Sequence, residues 1–152
     1  MKTIFYFFPA ACLFLLLSFG SCSIFKSGSP QQDISAVEWQ LVSVQPENGG
    51  AYLIPASGQQ ATLLVIDGRV SGNTGCNSFS GNAERDKSKI SFSGIGATRK
   101  FCVSGMDIEA ALLKVLNSTD NFKIKDGKLQ LRQGSQTLAT FSDSANKVWK
   151  VE

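Results

Sequence analysis

The sequence predicts a mainly β (α+β) fold, an antiparallel, barrel-like curved sheet of about seven or eight strands with one helix. Three observations lead there. Apolar residues alternate with polar ones in many short runs, as in half-buried strands. Asp-Gly pairs sit between such runs at two places, and a type I′ hairpin turn needs positive φ at both central positions. A single stretch shows helical periodicity, so one helix is left to plug or flank the sheet.

Taken in order, folded structure is expected to begin at Val37, where Val37, Trp39 and Leu41 alternate with Glu38 and Gln40. Residues 46–60 hold Pro46, Asn48-Gly49-Gly50, Pro55 and Gly58, an irregular connection with a short strand at 52–54. Residues 61–66 form an aliphatic, β-branched run, followed by Asp67-Gly68 and then Arg69-Val70-Ser71. Residues 89–92 alternate cleanly. In residues 106–116, Ile108, Leu112 and Leu116 fall at fourfold spacing beside Ala111 and Val115. Ser104 or Asp107 is the expected N-cap and Asn117-Ser118 the expected end. Residues 121–125, Asp126-Gly127 and residues 128–131 repeat the hairpin pattern, and a last strand over 137–141 follows Gly134-Ser135. Trp39, Leu41, Leu63, Val65, Phe79, Phe92, Leu112, Leu129 and Phe141 are the expected interior, enough to fill a small barrel.

The N-terminus reads as a targeting segment. Lys2, an apolar stretch over 4–19 and then Gly20-Ser21-Cys22 have the order of a secretory leader. Phe19-Gly20-Ser21-Cys22 resembles the lipobox of bacterial lipoproteins, with Phe19 where leucine is usual. That resemblance implies removal of residues 1–21 and acylation of Cys22. The stretch is shorter than the roughly 20 residues of a spanning helix and carries Pro9, which argues against an uncleaved anchor. Two or more acyl chains hold a protein stably on a membrane, so the lipid would suffice as anchor. Residues 22–36 are mostly small and polar and read as a flexible tether to a domain over 37–152.

Cysteine counting follows. Cys12 leaves with the leader and Cys22 is acylated, so Cys76 and Cys102 remain. In an oxidising envelope such a pair is expected to form a disulfide, the alternative being two buried thiols. Closing that loop stabilises by roughly 3.5 kcal/mol in the chain-entropy model. Net charge is +3, or +2 once Lys2 is lost, with the basic residues scattered. Nucleic acid is therefore not an expected partner.

The segment Val70-Ser71-Gly72-Asn73-Thr74-Gly75-Cys76-Asn77-Ser78-Phe79-Ser80-Gly81 resembles the signature of the META domain, the HslJ-like family of envelope and secreted proteins. Thr98-Arg99-Lys100-Phe101-Cys102 resembles that family's second block. The similarity spans about residues 37–142, with Ser78 and Lys100-Phe101 departing from the usual residues. Physically, Gly72, Gly75 and Gly81 suit bulges, corners and close backbone approach. Asn77 suits hydrogen bonding to nearby backbone and Phe79 suits the core. A phosphate loop is disfavoured, because no Gly-rich motif with Lys-Ser/Thr stands before a helix.

Chemistry is sparse. The chain has no histidine, which removes Ser-His-Asp and Cys-His nucleophile arrangements and the commonest zinc ligand. Glu84, Asp86, Asp107, Glu109 and Asp120 leave a carboxylate-only hydrolase as the least favoured reading, since such acids need a shared cleft. No catalytic residue, cofactor or metal ligand is expected. The resemblance implies a small, stress-associated, non-catalytic envelope lipoprotein, on the periplasmic face of the outer membrane, working through an envelope protein partner; the oligomeric state stays open, with a monomer favoured. The alternative is a barrel-type binder of a small apolar ligand. Inhibition of an envelope enzyme, a subcase of the first, would show as an exposed loop with aromatic anchors.

Overall fold

The computed structural model describes residues 33–144. The leader, Cys22, most of the tether and residues 145–152 lie outside the described residues. Eight antiparallel strands follow one another around a closed barrel: β1 (Glu38–Val44), β2 (Ala61–Ile66), β3 (Arg69–Thr74), β4 (Ser78–Asp86), β5 (Lys89–Ala97), β6 (Asn121–Lys125), β7 (Lys128–Gln133) and β8 (Gln136–Asp143), with β8 pairing back on β1. One helix, α1 (Met106–Ser118), lies between β5 and β6. The fold class and the single helix are those the pattern predicts, and the structure supplies the order in which the strands pair.

The Asp-Gly turns form as expected, with Asp67 at φ 48° and Gly68 at 72°, and Asp126 at 52° and Gly127 at 69°. β4 is clearer in the structure than in the sequence. Phe79, Gly81 and Ala83 face inward and alternate with exposed residues over nine positions, but two small residues hide that alternation from a hydropathy reading. At Gly81 the pairing with β5 slips, and Gly94 at φ 61° takes up the extra residue opposite it, a glycine bulge that bends the sheet.

Ring closure is uneven. Six consecutive pairs join β2 to β3, whereas β5 meets β6 at one pair, Lys89 with Asn121. Here α1 intervenes. It packs mainly on β5 and also touches β1, β3, β7 and β8, placing Ile108, Ala111, Leu112, Val115 and Leu116 in the core. These meet Trp39, Leu63, Leu129, Leu131 and Phe141, all without accessible surface. The nine residues expected inside are all buried. Burying side chains of this size stabilises by about 1.5–3 kcal/mol each relative to exposure.

Three details differ from expectation. The fold begins before Val37: Ile34 is fully buried, its carbonyl accepts the Trp39 indole N–H at 2.9 Å, and Ser35 bridges to Val65. An indole N–H taken into a core needs an acceptor, and the chain before β1 supplies it. The helix N-cap is Gly105 at φ 93°, not Ser104 or Asp107, and it makes no side-chain cap bond. The segment expected as a strand at 52–54 is reduced to one bridge between Leu53 and Val44.

Candidate functional site

The glycine-cysteine-asparagine block and the Thr98–Cys102 block meet at one corner of the barrel. Thr74 ends β3, and its N–H donates to the Asn77 carbonyl at 2.8 Å, closing a tight turn through Gly75 and Cys76. Gly75 holds φ 94°, a conformation costly for any residue with a Cβ. The turn is small enough to leave Asn77 1 % exposed, with its carboxamide directed inward.

Each hydrogen-bonding position of that carboxamide is used. Oδ1 accepts the Lys100 N–H at 2.7 Å and the Thr98 hydroxyl at 2.8 Å. Nδ2 donates to the Lys100 carbonyl at 3.0 Å and to Glu109 Oε2 at 2.9 Å. Asn77 thus pairs with both backbone groups of Lys100 as a neighbouring strand residue would. The same carboxylate oxygen accepts the Thr74 hydroxyl at 2.7 Å, so Glu109 ties the first turn of α1 to the corner. A side chain with two acceptor sites and two N–H groups in one plane satisfies this set, and asparagine is such a side chain.

Cys76 and Cys102 are bonded across the same junction, with Cα atoms 6.0 Å apart. The glycines serve packing. A Cβ on Gly72 would lie 2.0 Å from the Thr62 carbonyl oxygen, and one on Gly81 would lie 2.5 Å from Ile95 Cδ1. The Gln59 side chain fills the space beside Gly75 and Gly105, where added Cβ atoms would come within 2.6 and 1.8 Å of it. Phe79 is in the core. Gly72, Gly75, Asn77, Phe79 and Gly81 therefore all build the barrel and its corner.

Beyond Lys100 the chain turns outward. Phe101 is 86 % exposed and Val103 100 %, with Met106 at 40 %. Arg99 and Lys100 are exposed beside them. The sequence did not single out this apolar tip. Its trace is the lack of any period around Phe101 and Val103, between Thr98 and Ser104-Gly105, which leaves two apolar residues with no core-facing pattern.

The candidate acids separate. Glu84, Asp86 and Asp120 share a surface cleft of about 420 Å³ with Arg85, Lys89 and Thr119. Asp120 is committed there, since both its oxygens accept the Gly134 N–H at 3.0 Å. Asp107 stays at the helix start, its Oδ1 accepting the Ile108 N–H at 2.9 Å. Glu109 is spent in the corner. A further cleft of about 210 Å³ lies between α1 and the β7–β8 turn, lined by Gln45, Lys114, Ser118 and Gln136 among others.

Comparison with known proteins gives four findings. The META domain family model matches residues 32–146. An NMR structure of a protein from Burkholderia xenovorans is similar at 27 % identity and a TM-score of 0.61, covering 73 % of this chain and 83 % of that one. A second protein solved by NMR shares the fold at 18 % identity and a TM-score of 0.54, covering 71 % and 90 %. No curated protein matches the chain.

Proposed function

The chain belongs to the META domain family, and from that premise we propose that it is a lipid-anchored bacterial envelope protein that acts by binding and not by catalysis. One observation carries the reading. The polar groups gathered at the corner are consumed by the protein itself, Asn77 and Glu109 above all, while Phe101 and Val103 stand in solvent. A catalytic centre keeps polar groups directed at a substrate; a binding surface keeps apolar ones.

Anchoring through Cys22, residence on the periplasmic face of the outer membrane and stress association rest on the leader and on the resemblance of the two blocks. An envelope protein is the expected partner, and neither nucleic acid nor a cofactor enters the reading. The filled barrel interior supports a binding module over a carrier of small apolar ligands, because Trp39, Leu63, Leu112 and Phe141 occupy the space a ligand would take.

Crosslinking in native envelopes, followed by pull-down on a tag after Glu152, is expected to recover a discrete envelope protein. A fatty acid recovered at one per chain from purified protein would replace this reading with the carrier. Turnover of an envelope substrate, lost in Asp107→Asn or Glu109→Gln without loss of folding, would overturn both. Cys22→Ala is expected to leave the chain soluble or as an unprocessed precursor, and mass spectrometry should find the acyl mass on Cys22 of the parent.

A further inference from the structure

We propose that residues 99–106 form a contact for an anionic lipid surface, with Phe101 and Val103 entering the headgroup boundary and Arg99 and Lys100 pairing with phosphates. This rests on the binding-module reading and assigns what its exposed loop touches.

The composition of the tip is the first argument. Two nearly fully exposed apolar side chains stand immediately beside two exposed cations. An interfacial segment of this kind buries apolar surface among acyl chains while its basic residues meet negative headgroups. Of the acids nearby, Glu109 is half-buried and drawn into the corner by Thr74 and Asn77, and the exposed Asp107 is held at the helix start by the Ile108 N–H.

Area favours lipid over protein. Phe101 presents most of an aromatic side chain, worth roughly 150–250 Å² when buried, and Val103 and part of Met106 add a smaller apolar area. A stable protein interface takes about 800 Å² from each partner. A membrane asks for no matching pocket, and a small tip suffices where an anchor already raises its local concentration.

Rigidity is the third argument. The loop leaves the barrel at Lys100, whose N–H and carbonyl are both held by Asn77, and it is bonded at Cys102 to the turn before β4. Phe101 stands between these two ties. The backbone polar groups at its base are therefore already paired, which lowers the cost of bringing the tip to an apolar boundary.

The test uses the full chain with Phe101→Trp, reconstituted into vesicles of phosphatidylglycerol and phosphatidylcholine carrying brominated lipid. The parent chain supplies the background from Trp39 and Trp149. Bromolipid quenching of the new indole is expected in phosphatidylglycerol vesicles and is expected to fade at high salt. With each cation near an anionic surface worth about fivefold, Arg99→Glu with Lys100→Glu should lower the loop's bound-to-free ratio by about 25-fold or more. An unchanged melting temperature would show that this variant is folded. Absence of quenching, or quenching equal in pure phosphatidylcholine and untouched by the charge reversals, overturns the proposal. A photo-crosslinker at position 101 should capture phospholipid in native envelopes. Capture of a protein there instead overturns the lipid contact and leaves the binding module standing, whereas turnover or a bound apolar ligand would overturn the module itself.

Discussion

The Asp67-Gly68 and Asp126-Gly127 turns and the Gly75-Cys76-Asn77 corner all join adjacent antiparallel strands in two or three residues, but they are held by different forces. The Asp126-Gly127 turn is a local object, and the Asp67-Gly68 turn adds one tie to distant chain, its Gly68 carbonyl accepting the Ala83 N–H at 2.9 Å. In each, both residues take positive φ, and a Cβ on Gly127 would meet nothing within 4 Å. The corner is tied to distant chain at every point. Asn77 holds Thr98, Lys100 and Glu109, Cys76 holds Cys102, and Gly75 leaves room for Gln59. The first kind of turn depends on backbone preference, the second on the assembled barrel. Substitutions at the two should differ in size and in what rescues them.

Opening the disulfide gives the largest expected effect. Cys76→Ser with Cys102→Ser, or reduction of the parent, should cost about 3.5 kcal/mol by freeing the unfolded chain. Chemical denaturation of oxidised and reduced protein measures it. Both thiols alkylating in unreduced native protein would contradict the bond.

Next is Asn77→Ala, expected to cost about 3 kcal/mol, because it strands the Lys100 N–H and carbonyl and takes a donor from Glu109 at a buried site. Asn77→Asp should be at least as damaging at neutral pH, since an acceptor then faces the Lys100 carbonyl and a second carboxylate faces Glu109. Its deficit should shrink on acidification as the new acid protonates. A flat pH profile would mean that the corner opens to water in the variant.

Alanine at glycine then separates the two kinds of turn. Gly72→Ala should cost about 2 kcal/mol, because the new methyl collides with the Thr62 carbonyl and must push β2 from β3. Gly127→Ala should cost about 1 kcal/mol through φ alone. Asparagine tolerates positive φ, so it should recover much of the loss at 127 and nothing at 72. Paired thermal melts decide this, and equal rescue at both sites would erase the distinction.

The smallest effect is expected at Asp33. The Ser35 N–H foremost, and then the Arg85 guanidinium, hold its carboxyl below the usual aspartate range. A depressed folded value means that the stabilisation is present above the unfolded value of about 3.9 and is lost as pH falls through the folded one. Both side chains of the Asp33–Arg85 pair are substantially exposed. Asp33→Asn should therefore change stability by well under 1 kcal/mol at neutral pH, an effect visible as a small loss of acid-side slope in urea titrations.

Strand and helix periods were legible because they recur within a few residues. Residues 61–66 and 121–125 have the same bounds in sequence pattern and structure. β4 was obscured because Gly81 and Ala83 face inward with almost no hydropathy of their own. The Gly105 cap was misread because Ser104 and Asp107 are better cappers by residue type, while the space beside Gln59 admits no Cβ at 105. At the site, Cys76, Cys102 and Asn77 could be named from the chain, but Thr74, Thr98 and Glu109 as partners of Asn77 could not. Nothing local distinguishes them from other threonines and a helix-start glutamate.

By itself, then, the sequence determined what depends on neighbours along the chain: alternation, helical stripe, positive-φ turns and the absence of histidine chemistry. These follow from side-chain period and backbone sterics, which act over a few residues. Tertiary structure alone decided that Ile34 caps the Trp39 indole, that α1 and not a strand covers the β5–β6 seam, and that Glu109 is spent on the corner while Phe101 and Val103 are left outside. Those outcomes depend on which groups across the barrel compete for the same donors and the same interior volume, and the barrel must close before that competition has a result.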